Sequence, residues 1–313
     1  MKLVIIEPLG VEKEKLLSLA AEKLKKSVEI VYYDTRVTDT ESLIERGRDA
    51  DIIAVSNLPL NADVINGCKH LKMLSVAFTG VDHIALDACR QKGVTVSNCA
   101  GYSTAAVADL VFGMLLSLYR SIPACDEAVR REGTKDGLIG FELEGKTFGI
   151  VGTGAIGLRV AAIAQAFGCQ VLACSRTKKD IPGISYTDLE TLLSQSDIVS
   201  LHAPLTEETR GLIGREQLAL MKKNAILINT SRGPVVDSEA LADALNEERI
   251  AGAAIDVFET EPPVKKEHPL FNARHVLATP HVAFATKEAL MKRAVIVFDN
   301  ISAWLDGKPQ NVI

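Results

Sequence analysis

No apolar run in this chain is long enough to cross a bilayer: the longest, 110–119, falls far short of the roughly 20 residues a spanning helix needs. The first residues, 1–6, lack the charged head and apolar middle of a secretory signal. Both absences predict a cytoplasmic protein with no membrane partner. Basic excess is missing too, since a net charge of −5 leaves no electrostatic footprint for nucleic acid. The six cysteines (Cys68, Cys89, Cys99, Cys125, Cys169 and Cys174) form no C-x-x-C pair. They read as small buried hydrophobes in a reducing compartment, and no metal site is expected. Low-complexity segments, internal repeats and long Pro/Gly linkers are also lacking, so no domain floats on a tether.

What the chain has is rhythm. With 313 residues, 47% of them hydrophobic, it can bury two cores. Apolar runs at 3–6, 28–33, 52–55, 73–78 and 95–96 alternate with helical stretches near 13–25, 40–46, 62–68 and 86–92. A second series places strands at 148–151, 171–174, 198–202, 225–229, 253–256 and 275–278. Alternation of this kind builds parallel sheets, and continuous Val/Ile/Leu runs mean strands covered on both faces. The prediction is an α/β protein of two doubly wound parallel-sheet domains: residues 1–98 with 287–313 as a substrate-binding domain, and 99–286 as a cofactor domain. A helix over 103–120 carries Val107, Leu110, Val111, Met114, Leu115 and Leu118 around much of its circumference. It is expected to be wedged between the domains, or wedged there and also packed against a second copy in a homodimer. The amphipathic helix 287–304 is expected to return to the first domain.

Residues 146–151 read as a buried strand, and Gly152-Thr-Gly-Ala-Ile-Gly157 then opens a helix, the context in which a glycine fingerprint has meaning. Gly152 makes the tight turn, Gly154 lets the backbone approach a pyrophosphate, and Gly157 lets helix and strand pack closely. The phosphates sit on unpaired amides at the helix start. Arg232 lies just past a strand, at the carboxyl edge of the sheet where ligands collect in open α/β folds, and its guanidinium can fork a carboxylate. Glu261 and His281 also follow strands, so both should emerge on that edge. A histidine beside a carboxylate stays protonated to higher pH, which suits proton exchange with a carbonyl or alcohol oxygen. The other five histidines read as structural.

In this order and spacing, Gly152-x-Gly-x-x-Gly157, Asn229-Thr-Ser-Arg-Gly233, Asp256-Val-Phe-Glu-x-Glu-Pro262 and Thr279-Pro-His281 resemble the D-isomer-specific 2-hydroxyacid dehydrogenase family across nearly the whole chain. Thr79-Gly80-Val-Asp82 and Asn98-x-x-Gly101-Tyr-Ser-Thr104 are similar to that family's substrate loop and the start of its linker helix. The resemblance implies a flavodoxin-like substrate domain, a Rossmann cofactor domain, and hydride transfer between NAD(P)H and a small 2-oxo acid. It further implies His281 as general acid/base, Glu261 as its partner, and Arg232 as the clamp on the substrate carboxylate that also polarises the carbonyl. The backbone at Phe78, Thr79 and Gly80 would complete the carboxylate site. Asp256 would hold the nicotinamide carboxamide, Ala155 and Ile156 would lie on the pyrophosphate, and Thr230 with His202, Ala203 and Pro204 would line the cofactor groove.

Two departures refine this. An NAD site expects Asp or Glu about 20 residues past the glycine turn to hold the ribose 2′-hydroxyl. Here the strand ends in Ser175-Arg176-Thr177-Lys178-Lys179. Ser175 can hydrogen-bond a 2′-phosphate and Arg176 can pair with it, so NADP(H) is expected over NAD(H), with relaxed NAD use as the alternative. Residues 54–61 offer no Lys or Arg to grip a substrate phosphate, and no regulatory extension follows Ile313. Glyoxylate or hydroxypyruvate is therefore the expected substrate. Phosphoglycerate dehydrogenase-like activity, or a nucleotide-sensing corepressor-type binding protein, remains open as an alternative.

Overall fold

The computed structural model describes residues 1–24, 26–260 and 262–313, and divides into two compact units, 1–103 with 285–313 and 104–284. Lys25, the expected end of the first helix, and Glu261 lie outside the described residues. The first boundary falls five residues later than the 98/99 division read from the sequence. The reason is local: Asn98 N–H donates to Asn311 O and Cys99 N–H to Phe78 O, which keeps this segment with the first unit.

The first unit runs β1 (Lys2–Ile5), α1 (Lys13–Lys23), β2 (Glu29–Tyr32), α2 (Thr40–Gly47), β3 (Ile52–Val55), α3 (Ala62–Gly67), β4 (Met73–Val76), α4 (Leu86–Lys92) and β5 (Thr95–Ser97). All strands are parallel in the order β2-β1-β3-β4-β5, the flavodoxin-like winding. β3 and β4 are buried at every residue, which is what uninterrupted apolar runs require of strands with helices on both faces. Asp39 and Asn61 start α2 and α3 by accepting the amides of Ser42 and Val64.

The second unit contains α5 (Thr104–Tyr119), α6 (Ile122–Arg130), β6 (Thr147–Val151), α7 (Ala155–Ala166), β7 (Gln170–Cys174), β8 (Ile184–Tyr186), α8 (Leu189–Gln195), β9 (Ile198–Leu201), α9 (Arg215–Leu220), β10 (Ile226–Asn229), α10 (Ser238–Asn246), β11 (Gly252–Ile255) and β12 (Val276–Ala278). Its parallel sheet has the order β12-β11-β10-β9-β6-β7-β8. The winding reverses between β6 and β9, the switch point at which Rossmann folds bind dinucleotides. α5 packs on α7, β10 and β11, burying Ala108, Val111 and Leu115 completely. α11 (Lys287–Leu305) belongs to the first unit, where it packs on α1 and β4; beyond it Val312 pairs antiparallel with Ser97. No single helix among the described residues is long and apolar enough to cross a membrane.

Candidate active site

β6 ends in a turn whose glycines answer to different constraints. Gly152 has φ +98°, and a Cβ there would stand 2.7 Å from His202 O. A Cβ on Gly157 would overlap the Gly152 carbonyl. Gly154 is different: nothing lies within 4 Å of where its Cβ would be, so no contact inside the chain demands glycine there. A ligand does. The open space above Gly154 and the unpaired amides opening α7 fit a pyrophosphate. Further along the edge, the Thr230 hydroxyl is buried without a hydrogen-bond partner among the described residues, which fits a polar group arriving from a ligand. The residues present therefore suit a dinucleotide.

The turn after β7 folds back onto the glycine loop. Thr153 N–H donates to Ser175 Oγ at 3.4 Å, and Lys179 Nζ donates to Thr153 O at 3.0 Å, while Arg176 is exposed. Lys179 was visible in the sequence only as part of a basic run; its direction toward the loop was not. His202 follows β9, its N–H donating to Val151 O at 2.7 Å and its Nε2 standing 2.9 Å from Ser200 Oγ. Burial pushes its pKa down to about 4, so the ring is neutral near pH 7. Ala203 beside it is buried and Pro204 exposed.

Strand register sets up the chemistry. Asn229 pairs with Ile255 and Ile255 with Ala278, so the ends of β10, β11 and β12 stand in one row with about 4.8 Å between neighbouring strands. Arg232 and His281 each lie three residues past that row, on the same edge. Asn229 organises the first loop: its Oδ1 accepts from Ser231 N–H (3.0 Å) and Ser231 Oγ (2.8 Å), and its Nδ2 donates to Arg232 O (2.9 Å). Gly233 then passes so close to the Phe258 carbonyl that any side chain would overlap it.

The His281 turn is built on Asp256, which is fully buried. Asp256 accepts from Thr279 Oγ1 (2.5 Å) and Val282 N–H (2.9 Å) at Oδ1, and from Ala283 N–H (2.9 Å) at Oδ2. His281 N–H donates to Asp256 O at 2.8 Å, and its ring meets Phe284 edge-on at 5.5 Å. Burial raises the Asp256 pKa, and these hydrogen bonds and His281 oppose that rise. Sequence reasoning gave Asp256 only a cofactor contact and missed this structural duty. Oδ2 accepts one bond among the described residues, leaving a lone pair for an incoming amide.

Glu261 lies outside the described residues. The glutamate–histidine pair that is described is Glu259 with His268 Nε2, at 2.8 Å, with His268 Nδ1 accepting from Leu270 N–H at 3.4 Å. Burial pushes the Glu259 pKa up, but hydrogen bonds from His268 and Ser238 outweigh it and leave the carboxyl below its usual range. The pair joins the segment after β11 to the one before β12. In the first unit, Phe78 is buried and Thr79 exposed in the turn after β4, with Gly80 half-buried.

The family model for the D-isomer specific 2-hydroxyacid dehydrogenase NAD binding domain matches residues 112–283. The chain is 36% identical over 294 residues to a hydroxypyruvate reductase of Blautia hydrogenotrophica, covering 91% of each. It is 39% identical over 302 residues to a glyoxylate reductase of Aeropyrum pernix, covering 90% of each. Among solved structures, an acyclic imino acid reductase in complex with NADPH and D-Arg superposes with a TM-score of 0.91 at 32% identity, covering 100% of both chains.

Proposed function

Because the chain belongs to the D-isomer specific 2-hydroxyacid dehydrogenase family, and is thus an oxidoreductase passing hydride between a nicotinamide cofactor and a 2-oxo or 2-hydroxy acid, we propose that Arg232, Glu261 and His281 are its catalytic residues and that it uses NADP(H) with a small unphosphorylated acid such as glyoxylate or hydroxypyruvate. The observation that carries the assignment is the register of β10, β11 and β12, from which Arg232 and His281 are displaced by the same three residues.

When bound, the nicotinamide supplies or accepts the hydride. Arg232 binds the substrate carboxylate and stabilises the charge that builds on the reacting oxygen. His281 gives that oxygen a proton during reduction and takes one during oxidation, with Glu261 orienting the imidazole. In the first unit the Thr79 and Gly80 amides, beside Phe78, are the groups assigned to the substrate. The amides of Ala155 and Ile156 meet the pyrophosphate over Gly154. Thr230, Asp256 and the segment His202, Ala203, Pro204 line the nicotinamide side.

One observation favours NADP(H): no carboxylate directly follows β7, where Ser175 and Arg176 stand instead. Names of the two curated relatives and the absence of Lys or Arg from residues 54–61 favour the small substrate. A panel of 2-oxo acids assayed with each cofactor tests both points. The expected result is a higher kcat/KM with NADPH, shifted toward NADH by Arg176→Asp, and best turnover of glyoxylate or hydroxypyruvate. A clear NADH preference in the parent protein overturns the cofactor assignment.

A further inference from the structure

The turn after β4 is anchored through its carbonyls. Cys99 N–H donates to Phe78 O at 2.9 Å, and Asn98 Nδ2 donates to Thr79 O at 2.7 Å. In a trans peptide the carbonyl and the following N–H point in opposite directions. Both anchored carbonyls therefore turn the Thr79 and Gly80 N–H groups away from residues 98 and 99. Neither amide donates to another described residue, and Thr79 is exposed. Two backbone N–H groups left without an acceptor among the described residues can donate to an anion.

Asn98, 7% exposed, is itself held. Its N–H donates to Asn311 O at 3.0 Å, and its carbonyl accepts from Asn300 Nδ2 at 2.8 Å. Asn311 Nδ2 in turn donates to Asn300 Oδ1 at 2.8 Å. Asn300 on α11 has no exposed surface, so its carboxamide cannot exchange these partners for water. A planar carboxamide presents a donor and an acceptor in fixed geometry. Asn311, Asn300 and Asn98 thus pass a chain of hydrogen bonds from the segment after α11 to the Thr79 carbonyl. Simple attachment of that segment needs none of these side chains, because Val312 bridges Ser97 and Ile313 N–H donates to Val96 O.

We propose that Asn300 and Asn311 are positioning residues for the 2-oxo acid: acting through Asn98, they fix the Thr79 and Gly80 N–H groups in the orientation that meets the substrate carboxylate. This rests on the reading in which that turn takes the carboxylate. If the Thr79 carbonyl loses its anchor, the Gly80 N–H in the same peptide plane turns with it, and the carboxylate loses a donor.

The least invasive variant is Asn311→Gly. Asn311 has φ +52°, which glycine adopts without strain, and the backbone bond to Asn98 is retained while the side-chain donor is removed. Asn98→Asp, which removes the last donor in the relay, is the second variant. Inhibition at saturating cofactor by oxamate and by oxamide, which replaces the carboxylate with a neutral carboxamide, separates carboxylate binding from everything else. In both variants the oxamate Ki and the glyoxylate KM are expected to rise roughly tenfold, with oxamide Ki and cofactor KM unchanged. An unchanged ratio of oxamate to oxamide Ki in both variants, or equal loss of oxo acid and cofactor binding, overturns the relay. If the parent protein itself binds oxamide as tightly as oxamate, the carboxylate reading beneath it fails, and the proposal with it.

Discussion

Asp256 has no exposed surface, yet its carboxylate accepts hydrogen bonds from Thr279, Val282 and Ala283, on both sides of His281. Asp256→Asn leaves a single acceptor oxygen and turns an NH2 toward a donor. The expected cost is about 1–3 kcal/mol of stability, read as a lower Tm, together with a loss of turnover. His281→Ala should behave differently: turnover falls by roughly 10²- to 10⁴-fold, while Tm and cofactor affinity stay near the parent values. Near-normal turnover in that variant removes His281 from the mechanism. His202 gives a pH signature. Its folded pKa of about 4 lies below the ordinary imidazole value of 6.5, so as pH falls the unfolded chain takes up a proton first. Stability is full above about pH 6.5 and declines toward pH 4, by at most about 3 kcal/mol. Denaturant titrations of His202→Gln should show a flatter decline across that window, and an unchanged slope would mean the ring is not held neutral. His281 could be singled out in the sequence; the scaffold at Asp256 and the neutral His202 ring could not, because both appear there only as members of motifs and their hydrogen bonds join residues up to 51 positions apart.

The β6–α7 turn shows what a motif does and does not disclose. Three glycines at fixed spacing could be read directly, because a strand and a helix flank them. Their separate duties could be read from the motif, and the coordinates add the contacts: Gly152 and Gly157 are crowded by backbone and Gly154 is not. Gly157→Ala should lower stability by about 1–3 kcal/mol, since its Cβ would overlap the Gly152 carbonyl. Gly154→Ala should leave Tm unchanged, having nothing within 4 Å and φ −70°, yet raise the cofactor KM. Thermal melts and cofactor titrations of the two variants distinguish these roles, and a Tm loss at Gly154 equal to that at Gly157 would contradict them. Other elements escaped the sequence for identifiable reasons. β8 is three residues long with none fully buried, and α6 buries no residue at all, so neither carries the apolar signal that marked the core strands. Lys179 looked like one more charge in a solvated turn until its contact with Thr153 O fixed its direction.

For the molecule as a whole, the two sheets follow from alternating apolar runs, and α5 is not the only apolar surface that could meet a second copy. The sequence pointed to α5, whose Val111, Met114 and Leu115 are buried in the core of the second unit, while Leu110 and Leu118 are only partly buried. Exposed apolar side chains also collect on α6 and the segment that follows. Ile122 and Val129, seven residues apart and so on one helix face, are 49% and 73% exposed; Ile139 and Phe141 are 85% and 59% exposed. Phe141 N–H donates to Tyr119 O, which ties this segment to the end of α5. Single exposed hydrophobics are ordinary, but several on neighbouring elements mark an interaction surface. We propose that this surface is the homodimer contact, which has to bury about 800 Å² per partner to be stable. Sedimentation equilibrium at micromolar concentration should then return twice the 33.7 kDa chain mass. Val129→Glu combined with Ile139→Glu should shift it to a single chain with an unchanged circular dichroism spectrum, because neither side chain contributes to the core. A parent protein that sediments as one chain would leave this apolar surface without its proposed partner.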